Sequence, residues 1–253
     1  MAVPRIALLA AAALGAPAWG LRQLRARPAP RPDPQQVLLT LLRGQLPQPW
    51  EQERKCLGQP RKDQQLRFEA LGSICQELGA ANFLIFGTGY DSPFWLDSNP
   101  HGHTRFLEKH QDWVHFQPES VQNATSVVNY TSKLYEAAAR IADEPMLREF
   151  LDTQVPADVK AAHWDVILVD SPEGYDPRDV LQPGRGQSIY AARELAGPNT
   201  TIFLDDCHRS VETEYMRHWL LRDGRNLTLM SDGHRFGTLC RISPQVPRAA
   251  PPA

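Results

Sequence analysis

Short apolar runs alternate with amphipathic stretches through the middle of the chain. Seven runs rich in β-branched, aromatic and aliphatic residues, at 83–87, 104–107, 126–130, 166–169, 201–204, 227–230 and 237–242, have the length and composition of strands. Between them, apolar residues recur at i, i+3 and i+4 over Lys133 to Ile141, Met146 to Leu151, Arg185 to Leu195 and Ser210 to Leu221, the spacing of helices with one buried face. A helix is also predicted from Arg61 to Leu78, where Leu66, Ala70, Leu71 and Ile74 share a face and Gly79 supplies the stop. Parallel strands need crossovers and helices provide them, so the pattern predicts an α/β domain with a seven-stranded, mostly parallel, Rossmann-like sheet flanked by helices. Ligands of such sheets gather at the carboxyl ends of the strands.

The flanks read differently. Residues 1–32 hold no acidic side chain, and Arg5 precedes an apolar run from Ile6 to Ala16 that ends too early to cross a bilayer, which takes about 20 residues. Residues 1–21 are therefore read as a signal peptide or a short signal anchor. Ala16-Pro17-Ala18 has the form of a cleavage site, and Arg22, Arg25 and Arg27 oppose a type II orientation. An organelle transit peptide is the alternative, although no Ser occurs before Ser73. Residues 22–60 read as a Pro/Arg-rich stem containing a helical pattern from Gln35 to Arg43, residues 61–243 as the catalytic domain, and 244–253 as a disordered Pro-rich tail.

Composition narrows the class. A chain of 253 residues, 42% of them hydrophobic, can bury one full core. A net charge of −2 gives no basic field for phosphates, which argues against nucleic acid as a partner. Four cysteines, Cys56, Cys75, Cys207 and Cys240, lack CxxC spacing, so a zinc site is not expected; disulfides and small buried hydrophobes both remain open. Of six asparagines, four (Asn123, Asn129, Asn199, Asn226) begin N-x-[ST] sequons, where 22 Ser plus Thr give about half a sequon by chance. That excess points to the secretory route. Asn129 and Asn226 lie in or beside strands, so about one or two occupied sites are expected.

Candidate chemistry sits at the predicted strand ends. The run Phe86-Gly87-Thr88-Gly89-Tyr90-Asp91-Ser92 closes the first strand with glycines that let the backbone turn and approach a ligand. The second strand ends in Glu108, 19 residues after Gly89, where nucleoside-binding Rossmann folds hold ribose hydroxyls; a tight turn beside a surface Glu is the plainer alternative. Strand four runs from Trp164 into Asp170-Ser171-Pro172-Glu173-Gly174-Tyr175, and strand five into Asp205-Asp206-Cys207-His208-Arg209. Carboxylates on neighbouring strand tips converge on the ligand crevice, where they act as a base or bind a divalent metal; an N-cap role is the structural alternative for Asp205.

These blocks, with Gly184-Arg185 ahead of Ser188-Ile189-Tyr190, resemble the plant glucuronoxylan 4-O-methyltransferase family and its xylan-biosynthesis relatives over about residues 80 to 242. The resemblance implies a class I methyltransferase fold, S-adenosylmethionine (SAM) as cofactor, and 4-O-methylation of glucuronic acid side chains of xylan or a related glycan in the Golgi lumen or at its membrane. By position it implies that Gly87, Gly89, Asp91 and Ser92 form the SAM loop and Glu108 holds the ribose. Asp170 and Asp206 would be catalytic, with a tentative metal between them, and Tyr175, Arg185 and Arg209 would bind the acceptor. The chain departs from the family at Asp205, where His is usual, at His208, where Asn is usual, and at Gly186, where Met is common. The loop from Tyr175 to Gly184 also reads as longer. These changes fall on the acceptor side.

Methyl transfer is an in-line displacement, so the enzyme must align the acceptor oxygen and ease its deprotonation. Asp170 and Asp206, alone or through a divalent cation, are expected to activate the hydroxyl, while Arg185 or Arg209 grips a uronate; a salt bridge to Glu212 is the structural alternative for Arg209. Other readings are a metal-dependent O-methyltransferase for a small molecule and a non-catalytic polysaccharide-biosynthesis factor. His101-Gly102-His103 is expected in a surface turn, and Trp95 and Trp113 in the core.

Overall fold

A computed structural model describes residues 71–89, 91–173, 181–222, 224–230 and 238–244, all within the unit Asp33–Ala253. Seven strands form one sheet: β1 (Asn82–Phe86), β2 (His103–Glu108), β3 (Thr125–Val127), β4 (Trp164–Val169), β5 (Ala196–Leu204), β6 (Asn226–Leu229) and β7 (Cys240–Ser243). Their order is β3-β2-β1-β4-β5-β7-β6. The first five pair in parallel; β7 runs antiparallel to both β5 and β6. This is the seven-stranded, mostly parallel, Rossmann-like sheet that the apolar pattern predicts.

The period of two along each central strand sorts its side chains onto two faces. From β1, Leu84 and Phe86 join Leu107, Ile167, Val169, Ile202 and Leu204 in one core cluster. Phe83 and Ile85 join Phe106, Val166, Leu168 and Phe203 in the other. Burial on both faces explains why the runs are continuously apolar. Fully burying such a side chain stabilises by about 1.5–3 kcal/mol, so this double-sided core fixes the register.

Helices cover the two faces. The connections carry α1 (Ser92–Ser98), α2 (Gln111–His115), α3 (Glu119–Asn123), α4 (Leu134–Ala137), α5 (Glu144–Thr153), α6 (Ala157–Ala161), α7 (Gly186–Leu195) and α8 (Ser210–Tyr215), the last continued by a π-helical turn at Met216–Leu220. Residues 71–75 are helical, and Ile74 packs beneath Phe94 and Trp95 of α1. Phe150 of α5 and Ile189 of α7 pack on the opposite face. The helix predicted over Lys133 to Ile141 is shorter, Leu134–Ala137 followed by turns, and those over Met146 to Leu151 and Arg185 to Leu195 form as α5 and α7. Among the described residues no helix is long and apolar enough to cross a membrane. The segments Gln35 to Arg43 and 244–253, apart from Pro244, lie outside the described residues, as does most of the loop from Tyr175 to Gly184.

Cys207, just after β5, is bonded to Cys240, the first residue of β7. Cys75 is also disulfide-bonded, and none of the described cysteines is free.

Candidate functional site

The turn after β1 shows why glycine stands there. Gly87 has φ +113°, and a Cβ on it would come within 2.9 Å of the Ser171 Cβ at the end of β4. Any side chain would strain the backbone and push the two strand ends apart. The Gly87 N–H donates to the Leu107 carbonyl at 2.7 Å, so the turn stays tied to β2. Two residues on, the Gly89 N–H donates to the Ser92 hydroxyl at 2.9 Å, Ser92 opens α1, and Asp91 is its N-cap residue.

Glu108 closes β2 and is 4% exposed. One carboxylate oxygen accepts from the Thr88 N–H and hydroxyl (2.8 and 2.9 Å), the other from the N–H groups of Lys109 and His110 (2.7 and 2.8 Å). Four donors fill the lone-pair positions of a carboxylate. A ribose diol reaching Glu108 therefore has to displace one of them, and the Thr88 hydroxyl, which can rotate away, is the cheapest to move.

These tips enclose a cavity of about 490 Å³ whose lining includes Gly87, Gly89, Asp91, Ser92, Glu108 and Asp170. The residues expected to form the SAM loop and to hold the ribose, and one of the two expected catalytic acids, thus meet in one place. The lining also contains Trp95, Trp113 and Phe116. Trp95 is a core residue, 1% exposed, packed edge-on against Phe83 and Phe94. Trp113 donates its indole N–H to the Thr88 carbonyl at 2.7 Å, and Phe116 lies 65% exposed at the cavity. Sequence reasoning passed over Phe116 and assigned Trp113 to the core. The available signal was their place in the segment directly after Glu108.

Beside the cavity lies a cluster of acids around one arginine. Arg185, 3% exposed, donates from Nε to the Pro172 carbonyl (3.0 Å), from Nη1 to the Asp205 carbonyl (2.6 Å), and from Nη2 to Asp170 Oδ1 (3.1 Å), with Asp206 Oδ2 at 3.2 Å. Its planar fork is engaged inside the protein, between the two carboxylates where sequence reasoning placed a divalent cation. Arg209 reaches Asp206 Oδ2 at 2.6 Å and the Glu173 carbonyl at 2.7 Å; its recorded ion pair is with Asp206 rather than Glu212. Asp206 has φ +53°, a left-handed conformation costly for a residue other than glycine.

Asp170 is exposed into the cavity it lines but otherwise enclosed by protein. Desolvation there raises its carboxyl well above the usual carboxylate range; nearby Asp205 raises it further, against the pull of Arg185. Burial and Asp205 also raise Asp206, opposed by Arg185 and Arg209. Glu212, on the first turn of α8, is 1% exposed and neither carboxylate oxygen has a hydrogen-bond partner. Burial raises its pKa while Arg185 lowers it.

Tyr175 and Tyr90 lie outside the described residues, as does His234. His103 opens β2 and stacks on Trp164 at 5.9 Å, with His101 in the turn before it, remote from the cavity lining. Among the described residues, no three His, Cys, Asp or Glu side chains converge as a metal site. The donor set at Asp170 and Asp206 does not fit a metal ion, because a guanidinium already bridges it.

A family model described as IRX15/IRX15L/GXM matches residues 67–229. The chain is 35% identical over 160 residues to glucuronoxylan 4-O-methyltransferase 2 of Arabidopsis thaliana, covering 56% of this chain and 54% of that protein. It is 33% identical over 174 residues to arabinogalactan O-methyltransferase 2 of the same plant, covering 58% and 57%. The chain thus spans about half the length of these curated relatives. Among solved structures, an O-methyltransferase from Bacillus cereus in complex with SAH matches with a TM-score of 0.44 at 15% identity, over 83% of this chain and 90% of that one.

Proposed function

The chain belongs to the IRX15/IRX15L/GXM family, and from that premise we propose that it is a SAM-dependent O-methyltransferase acting on a uronic-acid-bearing polysaccharide. The acceptor we assign is the 4-hydroxyl of glucuronic acid side chains of xylan or a related glycan. The observation that carries this reading is the single cavity joining the Gly87 turn, Glu108 and Asp170. Its volume of about 490 Å³ lies within the range of small-molecule cofactor sites. Gly87, Gly89, Asp91 and Ser92 would hold the methionine end of SAM, Glu108 the ribose, and the Trp113 and Phe116 rings the base. When bound, SAM supplies a methyl group on a sulfonium centre.

The chain's own residues supply the rest. Asp170 takes the proton of the acceptor hydroxyl, and its raised pKa makes it a stronger base than an ordinary carboxylate. Arg185 holds Asp170 and Asp206 in register and, being engaged within the protein, acts through them. Arg209, whose side chain is 24% exposed while it contacts Asp206, is the guanidinium we assign to a uronate carboxylate, with Tyr175 as a further acceptor contact. No step is routed through a metal. The disulfides favour an oxidising compartment, which supports placement in the Golgi lumen with residues 1–21 as signal or anchor and the chain as a glycoprotein.

Two measurements test the reading in sequence. Calorimetry must show SAM binding, because a non-catalytic biosynthesis factor need not bind it. Methyl-transfer assays then offer glucuronic-acid oligosaccharides beside catechol-like acceptors, with and without chelator. Transfer to the uronate at the 4-hydroxyl is the expected result; transfer to the phenol alone, abolished by chelator, would move the assignment to a metal-dependent small-molecule enzyme.

A further inference from the structure

The four sequon asparagines share a property that their sequence does not impose. Asn123, Asn129, Asn199 and Asn226 are all exposed, whereas the two asparagines outside sequons are not: Asn82 is half-buried and Asn99 is 3% exposed. Each sequon has Thr in its third position, at Thr125, Thr131, Thr201 and Thr228. Motif and exposure coincide at every described asparagine.

Their places in the fold separate them further. Asn123 ends α3, two residues ahead of β3; Asn199 lies in the irregular first half of β5; Asn226 opens β6. The first five strands are parallel and β6 runs with them, since both β5 and β6 are antiparallel to β7. All three asparagines therefore sit toward the amino ends of their strands, whereas the cavity lies beyond the carboxyl ends of β1, β2 and β4. Asn123 and Asn226 also flank the two strands that bound the sheet, β3 and β6, and every residue of β6 is exposed. An open strand edge is what a bulky, solvated substituent protects against pairing with other chains. Asn129 differs: it follows the carboxyl end of β3, the end of the sheet at which the cavity lies.

We propose that Asn123, Asn199 and Asn226 carry N-linked glycans, grouped at the end of the sheet opposite the cavity, so that the chain is glycosylated without obstructing its site. The edge position of Asn226 is no bar, because its side chain is exposed and its one bond, to the Pro244 carbonyl at 3.2 Å, is a surface contact. In the transfer, the asparagine amide nitrogen forms a bond to the anomeric carbon of a lipid-linked oligosaccharide. The lipid diphosphate leaves and the amide gives up a proton. This rests on the luminal placement proposed above and is independent of methyl transfer.

The test expresses the full chain in a eukaryotic cell line and isolates microsomes. Protection of the chain from added protease reports luminal entry. Peptide-N-glycosidase treatment followed by mass spectrometry then maps each occupied asparagine as an aspartate. The expected result is a protected chain converted at positions 123, 199 and 226, with Asn123→Gln, Asn199→Gln and Asn226→Gln each removing one glycan increment on a gel. A protected chain lacking conversion at any of the three overturns the glycan assignment and leaves the placement standing. A chain digested by the added protease overturns both.

Discussion

Asp170 and Arg185 pull against each other, and the balance sets what the site can do. Enclosure and Asp205 raise the Asp170 carboxyl, while the Arg185 guanidinium at 3.1 Å favours its charged form. A base must be ionised, so kcat/KM falls as pH drops through the raised Asp170 value. The acid limb therefore begins at a higher pH than an ordinary carboxylate gives, with a slope of about tenfold per pH unit. Asp170→Asn removes that limb and lowers kcat by about 10²–10⁴, with SAM affinity by calorimetry little changed; full activity in this variant would exclude Asp170 as the base. Arg185→Lys keeps the charge but replaces five planar donors with a point charge that cannot span Pro172, Asp205, Asp170 and Asp206 together. The expected loss is about tenfold or more in kcat with KM for the acceptor little altered, because Arg185 acts through the carboxylates. A rise in KM alone would instead place Arg185 on the acceptor.

At the scale of elements, sequence and structure agree where the apolar period was long and diverge where the chain solved a local problem. Each of the seven runs read as strands contains or overlaps a strand; in β1, β4 and the second half of β5 burial on both faces leaves continuous apolar residues, whereas β6 is exposed throughout and β3 is only three residues long. The helices α1, α2, α3 and α6 went unread: each has at most seven residues, too few for a helical period to register. The Gly87 turn and Glu108 were legible as spacing. The Arg185 hub was not, since its partners come from two segments, 170–172 and 205–206, that only the fold brings to one side chain, and neither were the disulfide pairing and the positive φ of Asp206. Two devices can be tested here. Gly87→Ala forces a Cβ against Ser171 at a positive φ, and should cost about 1–3 kcal/mol in denaturant melts and weaken SAM binding. Cys240→Ser opens a link between residues 33 apart, next to the loop carrying Asp206 and Arg209. About 3–4 kcal/mol of stability should go with it, and an unchanged denaturation midpoint would show that the β5–β7 ladder suffices alone.

On the whole molecule, charge is nearly balanced, with 27 basic and 29 acidic side chains, yet its distribution is uneven. Among the described residues the cavity is lined by five carboxylates, Asp91, Glu108, Asp112, Asp170 and Glu173, and by neither Lys nor Arg. Two cations stand behind that wall, Arg185 against Asp170 and Lys109 against Glu173 at 2.9 Å. The walls therefore carry a surplus of negative charge in a cleft with protein sides, where fields are focused. The sulfonium donor is a net cation at neutral pH, whereas the thioether left after transfer is net neutral, so the field favours the donor over the spent product. Asp112 is an exposed member of the lining, so Asp112→Asn removes one charge with little risk to the fold. The variant should bind the sulfonium donor about three- to tenfold more weakly while its affinity for the thioether stays the same, and added salt should shrink the wild-type preference in the same sense. Equal weakening of both ligands would mean that Asp112 contributes shape rather than charge, and that the asymmetry of the cavity plays no part in separating donor from product.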